Sequence, residues 1–328
     1  MIQPVEMRTP LTMKLHGGAV STTTEVWEML SASRDGDFDR VKHLTAGRPE
    51  LRTCQYNYTP PLHFAVREGH LPLVHWLVAQ GALDPRYKTY PFGDTLLTMA
   101  QDRGFDEIAV FLKDAITRGD LTRTLPDTGE IDYNQDDEQK RFDKAVHKED
   151  LKEVEELLTK RPDLAQNEMS SWAEGVLMMP ARARNRPLLE LLIRFGGQVP
   201  PMSKWGRFYY FKHDDIAEFL IESGMSACHT TWHGVTLLHD MAQSGDLEKA
   251  RLLVDHGADI NALDEEYRST PLGLAARWGQ AAMVSFLLER GADANKSGAA
   301  WSTPLAWAKK EGHNGIADTL TAAGAVSD

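Results

Sequence analysis

Residues 228 to 240 read CHTTWHGVTLLHD, with three histidines, a cysteine, an aspartate and a tryptophan close together. Thiolate sulfur and imidazole nitrogen are zinc ligands, so Cys228, His229 and His233 form a possible ligand set. The stretch offers no convincing fourth ligand, and neither a metal nor a cofactor is expected. A second kind of chemistry needs paired carboxylates. One acid would give a proton to a glycosidic oxygen while the other acts as base or nucleophile. Glu68, Asp102, Glu174, Asp240 and Glu266 are the candidates, and Glu174 and Asp240 are the least arbitrary pair. Glu174 follows Trp172 closely, and Asp240 comes directly after His239. No GxSxG, HExxH, P-loop or GxGxxG pattern occurs, which removes the common hydrolase, zinc-protease and nucleotide-binding readings.

Composition narrows the function further. The 328 residues carry a formal net charge of -12, with 42% hydrophobic and 8% aromatic content. That balance belongs to a folded rather than a disordered chain. It also opposes general nucleic-acid binding, which needs a lysine and arginine excess, and adsorption to an anionic membrane surface. The two cysteines, Cys54 and Cys228, are far apart and form no CxxC motif, so reduced thiols are expected. The first residues show no apolar run after a basic start, and no stretch approaches the roughly 18 apolar residues of a membrane span. A cytoplasmic location is the resulting expectation.

The elements that carry these residues repeat. TLLHDMAQSGDLEKARLLVDHGADIN from Thr236, TPLGLAARWGQAAMVSFLLERGADAN from Thr270 and TPLAWAKKEGHNGIADTLTAAGA from Thr303 align with one another. Their Gly-Ala pairs begin at Gly257, Gly291 and Gly324. The segment TPPLHFAVREGHLPLVHWLVAQGA from Thr59 is a fourth copy. These segments resemble the ankyrin repeat, whose period is about 33 residues and whose units open with a TPLH-type start. Weaker copies begin at Val26, Thr95, Phe142 and Val176. One from Ser203, SKWGRFYYFKHDDIAEFLIESG, keeps its second helix but has a poor first one. The resemblance implies an all-α solenoid of stacked helix pairs with short β-hairpin fingers, about nine units with one interruption. The expected organisation is an N-terminal extension over 1–24 and a repeat block over 25–118. An acidic insertion over 119–137 and a second block over 138–325 follow. The insertion holds six acids and one base, and it reads as a long loop, more simply a solvated one than a lid.

The alignment dismantles the opening cluster. His239 falls at the histidine of the TPLH signature, as does His63, and the resemblance gives that residue a structural role. His229, Trp232 and His233 fall on the connecting finger. In this family the fingers and the exposed parts of the first helices form a concave surface that binds a partner. Finger positions here carry Tyr56, Tyr58, Tyr87, Tyr90, Phe92, Trp172, Trp232, Tyr267 and Trp301. The concave row carries Arg67 with Glu68, Asp102 with Arg103, Arg184, Tyr210, Trp278, and Lys310 with Glu311. Repeated aromatic residues at such positions suit binding hot spots. The expectation is a recognition module for a protein or peptide partner, with Tyr56, Tyr58, Tyr90, Arg67, Glu68, Trp172, Arg184, Tyr210, Trp232, His233, Tyr267, Trp278 and Trp301 as contacts. The alternative is a small-molecule or glycan site, or a carboxylate-dependent hydrolase in the same groove, in a pocket of the second block. Trp172, Tyr210, Trp232, His233, Asp240, Tyr267 and Trp278 would line it, because the shortened repeat from Ser203 should tighten the stack.

Overall fold

Helices start where the sequence sets a threonine before an apolar run. In the computed structural model the Thr270 hydroxyl accepts the Gly273 N–H at 3.2 Å, and Pro271 fills the first helical position, where a missing N–H does no harm. Thr303 caps in the same way at 3.1 Å and Thr95 at 2.9 Å. Among the second helices of the pairs, those from Leu151, Arg186 and Leu247 are capped by Asp150, Asn185 and Asp246. Each cap satisfies a donor that the helix cannot and contributes about 1 kcal/mol.

The described residues are all those of the chain except 16–17, 91, 124–128 and 327–328. They fall into two compact units. The first, Glu6–Asn134, holds α1 (Thr23–Asp35), α2 (Phe38–Gly47), α3 (Pro61–Arg67), α4 (Leu71–Ala79), α5 (Leu96–Asp102) and α6 (Asp106–Arg118). The first helix of each pair stacks on the next, α1 on α3 and α3 on α5, while α4 packs on α6. The second unit, Gln135–Asp328 with Met1–Val5, continues with α7 (Asp137–His147), α8 (Leu151–Lys160), a single turn α9 (Ser170–Ala173), α10 (Met178–Ala183) and α11 (Arg186–Arg194). Then come α12 (Gly206–Tyr209), α13 (Asp214–Glu222), α14 (Leu237–Ser244), α15 (Leu247–Asp255), α16 (Pro271–Arg277), α17 (Ala281–Glu289), α18 (Pro304–Lys310) and α19 (Asn314–Ala322). Here α10, α12, α14, α16 and α18 form one layer and α13, α15, α17 and α19 the other. Buried Ala275 and Ala276 let α16 sit close to its neighbours, and buried Met283, Val284, Phe286 and Leu287 give α17 its apolar face. Among the described residues no helix is long and apolar enough to cross a membrane.

Successive pairs are locked by an overlap. Gly36, Gly69, Gly245 and Gly279 take positive φ between the two helices of a pair, and the side chain that begins the second helix of the next pair lies directly on each. A Cβ at Gly36 would stand 2.6 Å from the His70 ring, at Gly279 2.8 Å from His313, and at Gly245 2.5 Å from Gln280. Phe105 covers Gly69 by packing alone, whereas the other three covers also donate back to the earlier repeat: His70 Nε2 to the Arg34 carbonyl at 2.7 Å, Gln280 to Gln243 at 2.9 Å, and His313 Nε2 to Arg277 at 3.2 Å. Two loops keep the left-handed turn without the glycine. Glu149 and Arg184 adopt φ of 60° and 59° there, and their joints turn polar, through Asn185 to Glu149 at 2.9 Å and Arg184 to Asp215 at 3.0 Å.

Part of the acidic insertion is extended and paired. Its residues Glu130–Ile131 form β3, which pairs antiparallel with β1 (Thr12–Lys14), and β1 pairs with β2 (Val20–Thr22). Buried Met13 sits opposite both Ser21 and Ile131. Strands β1, β2 and β3 therefore join the described parts of the N-terminal extension and of the insertion within the first unit. Residues 124–128 of the expected insertion lie outside the described residues. Gln135 opens the second unit, and its side chain donates to Asp143 at 2.9 Å.

The overlap predicts an asymmetry. Gly279→Ala forces a Cβ into left-handed backbone and against His313, and should cost about 1–2 kcal/mol in urea unfolding followed by circular dichroism. Glu149→Gly relieves the same backbone strain while losing one exposed bond, and should stay within about 0.5 kcal/mol of wild type. Equal losses in the two variants would show that the overlap is not what Gly279 serves.

Candidate functional site

The histidines of the opening stretch are spent on structure. His229 Nδ1 donates to the Pro200 carbonyl at 2.9 Å, and its Nε2 accepts from the Ser203 hydroxyl at 2.7 Å. His239 Nδ1 accepts the Thr236 N–H at 3.1 Å, and Nε2 donates to the Ser269 carbonyl at 3.1 Å in the next finger. Both rings are buried, and burial holds each pKa down to about 4. His233 is buried beside Glu266, Nδ1 to Oε1 3.0 Å, with the Trp232 ring 3.9 Å away. Cys228 is exposed, its sulfur 3.6 Å from the Gly257 carbonyl. The set Cys228, His229 and His233 is not drawn together, and among the described residues no His, Cys, Asp or Glu cluster could hold a metal.

The two carboxylates of the hydrolytic reading have different fates. Buried Glu174 accepts the Lys204 N–H through both oxygens, at 2.9 and 3.1 Å, and the Trp205 N–H at 3.4 Å, so it anchors the segment that leads into α12. Its own carbonyl accepts from the Tyr210 hydroxyl. Asp240 is buried on α14, and its Oδ1 has no hydrogen-bond partner among the described residues. Burial pushes its pKa up to about 7, against the opposing charge of Arg207.

Most of the expected contact rings fold inward, which corrects the picture of a continuous presented row. Tyr56 is buried and donates to Glu6 at 2.8 Å. Phe92, Tyr210, Trp232 and Tyr267 are buried as well, and Tyr87, Tyr90, Trp278 and Trp301 are half-buried. The C-terminal rings close on a residue the sequence reading passed over. The Arg277 guanidinium lies 4.5 Å from the Tyr267 ring, 4.9 Å from Trp278 and 4.3 Å from Trp307, and Trp301 meets Trp307 edge-on at 5.7 Å. Arg67, at the matching repeat position, is buried over Phe64 and bonded to half-buried Glu68 at 2.8 Å. The physical reason is area: each such ring removes about 150–250 Å² from water when it folds back on its neighbours. Among the described aromatic residues, Tyr58, Trp172 and Phe208 stay exposed, at 47%, 54% and 49%. Arg184 is exposed and paired with Asp215.

The expected pocket of the second block has a different lining. α12 spans four residues, against eight in α14 and seven in α16 and α18. The missing turn leaves a cavity of about 570 Å³ between α10 and α14. Arg182, Arg207, Lys212 and Lys249 line it with Phe208, Tyr209 and one acid, Asp246, whereas Trp172, Tyr210, Trp232, His233, Asp240, Tyr267 and Trp278 do not. A sequence signal for it existed: SKWGRFYYFK, from Ser203 to Lys212, holds three cations and no acid in a chain of net charge -12.

The helix pairs, finger turns and capping threonines match a known repeat. A model of ankyrin repeats in three copies matches residues 207–298, and a single ankyrin repeat matches residues 58–90. The chain carries ankyrin repeats. The chain is 40% identical over 83 residues to the ARF GTPase-activating protein Git of Drosophila melanogaster, covering 25% of this chain and 11% of that protein. It is 34% identical over 83 residues to the human ARF GTPase-activating protein GIT1, covering 25% and 11%. The ankyrin repeat and KH domain-containing protein CBG24701 of Caenorhabditis briggsae is 37% identical over 82 residues, covering 24% and 3%. The chain thus spans about a tenth or less of the length of these curated relatives.

The buried titratable groups of the ankyrin stack oppose one another. His229 and His239, held below the ordinary 6.5, add stability that is full above 6.5 and lost as pH falls through about 4. Asp240, raised from 3.8, adds stability that is full below 3.8 and lost as pH rises through about 7. Asp240→Asn removes the opposing slope. Between about pH 4 and 6.5 its unfolding free energy should fall on acidification more steeply than wild type, by about 1.4 kcal/mol per pH unit. Parallel curves for the two proteins would mean that Asp240 is ionised in the fold.

Proposed function

We propose that the chain is a recognition module for a protein partner, with Trp172 and Tyr58 as presented contact residues of their respective units. Ankyrin repeats imply protein interaction. One observation carries the finer reading: both exposed rings stand on left-handed backbone. Asn57 and Tyr58 have φ of 47° and 63° at the tip of a hairpin closed by Thr59 N–H to the Tyr56 carbonyl at 2.9 Å. The second seat of such a two-residue turn favours glycine. Ser171, Trp172 and Ala173 take φ of 52°, 62° and 60° in succession. Left-handed backbone costs about 1–2 kcal/mol per residue outside glycine, and such strain persists where surrounding bonds hold it and tends to mark functional positions.

The bonds that hold Trp172 are specific. Asp143 accepts the Ser171 N–H at 3.3 Å and the Ser170 hydroxyl, Lys204 Nζ donates to the Trp172 carbonyl at 2.8 Å, and the indole lies 5.0 Å from the His147 ring. A turn kept strained with its indole exposed serves contact better than packing. The activity named for the Git relatives belongs to proteins of which the matched segment is a small part, so the reading takes from them the repeat scaffold alone.

The test uses a partner captured by cross-linking in native extract and then purified for titration. Trp172→Ala should weaken binding by roughly 30-fold, the scale of a hot-spot aromatic at about 2 kcal/mol. Tyr58→Gly should weaken binding while leaving the unfolding midpoint unchanged or higher, because glycine relieves the turn. Unchanged affinity in both variants would remove the contact assignment.

A further inference from the structure

The cavity left by the short α12 differs from the rest of the second unit in its charge. Several arginines elsewhere in that unit face acids: Arg141 lies 2.7 Å from Glu153, Arg161 2.7 Å from Asp163, and Arg186 2.9 Å from Glu190. Lys249, at one wall of the cavity, is neutralised by Asp214 at 2.7 Å and Asp246 at 2.9 Å. Arg182, Arg207 and Lys212 have no carboxylate within ion-pair distance among the described residues. Arg182 rests 5.9 Å over the Tyr209 ring and Arg207 5.6 Å over Phe208, while Lys212 Nζ donates to the Arg182 carbonyl at 3.4 Å. Three cations without counter-charges thus converge on one gap in a chain of net charge -12. Behind Arg207, buried Asp240 holds its proton up to about pH 7 and offsets that charge only in part at neutral pH.

We propose that this gap binds a segment of the partner protein that carries an anionic side chain beside an apolar one. The inference rests on the recognition reading above and gives its partner a chemistry. Guanidinium groups suit carboxylate and phosphate oxygens, which they grip through two donors. The half-exposed Phe208 ring supplies apolar contact next to them. A volume of about 570 Å³ admits one or two side chains and lies in the range of small-ligand pockets, about 300–1,000 Å³. The negative charge of the whole chain disfavours an anionic bilayer and nucleic acid, which present anions over a wide front. A short peptide presents them locally.

The experiment measures fluorescence anisotropy of the full chain with three labelled pools of degenerate peptides. Their fixed centre is serine, glutamate or phosphoserine, followed by leucine. The anionic pools should bind at least about tenfold tighter than the serine pool, a difference of about 1.4 kcal/mol. Arg182→Gln with Lys212→Gln should abolish that preference at an unchanged melting midpoint. As a check independent of folding, wild-type affinity for the glutamate pool should fall with added salt while the serine pool changes little. Equal binding of all three pools would overturn the proposal. So would inorganic phosphate binding as tightly as the phosphoserine pool, or phosphatidylserine vesicles binding more tightly than the peptides. Trp172→Ala separates the two readings when titrated against the purified partner. Loss there, with no effect of the Arg182 and Lys212 changes, overturns the anionic gap and leaves the recognition module standing.

Discussion

The stack depends on bare backbone lying under a neighbour's side chain. Between the helices of a pair the chain must reverse, and left-handed glycine does so without steric cost. The same missing Cβ leaves room for His70, Gln280 or His313 to lie flat on that glycine and donate to the repeat behind it. One atom's absence therefore serves both the turn inside a repeat and the joint to the next. Because contacts in such an array run only between neighbours, each joint adds its own increment to stability. Replacing the glycine weakens two repeats together.

Where that rule lapses, polar chemistry takes over. Glu149 and Arg184 occupy left-handed positions without glycine, and hydrogen bonds or an ion pair replace the bare-backbone contact. The irregular first helix α12 lies in the same region. A full-length helix would fill the space between α10 and α14. Its four residues leave a cavity, which Arg207 and Lys212 face without a carboxylate within ion-pair distance among the described residues. The strained Trp172 turn precedes it in the same unit, held by Asp143 and by Lys204 from the segment leading into α12. Regular repeats have little to spare for a ligand, since their side chains are committed to the next repeat.

The aromatic residues show the same competition. A ring on a finger has two uses, to cover its own repeat or to meet a partner, and burial against a cation or another ring is the stronger pull. Arg277, between Tyr267, Trp278 and Trp307, holds the C-terminal fingers closed, and the Trp307 indole donates to Ser269 at 2.8 Å. At Tyr58 and Trp172 left-handed backbone accompanies an exposed ring.

The repeat was legible in the sequence because its signals are local. A threonine before proline, an apolar stripe at helical spacing and a glycine at the turn each act within a few residues, and the structural role of His239 followed from its place in that pattern. The structural bonds of His229 were not legible, since its partners Pro200 and Ser203 lie about one repeat away. Nor was the inward fold of Trp232 and Tyr267, or the pairing of the acidic insertion with β1, because a finger sequence does not state which surface its rings will meet. The basic run from Ser203 to Lys212 was written in the chain, yet its meaning depended on which carboxylates came within reach. Periodicity fixes what each residue does within its own repeat. Burial, charge pairing and exposure are set by residues about a repeat or more distant, and tertiary packing alone brings those together.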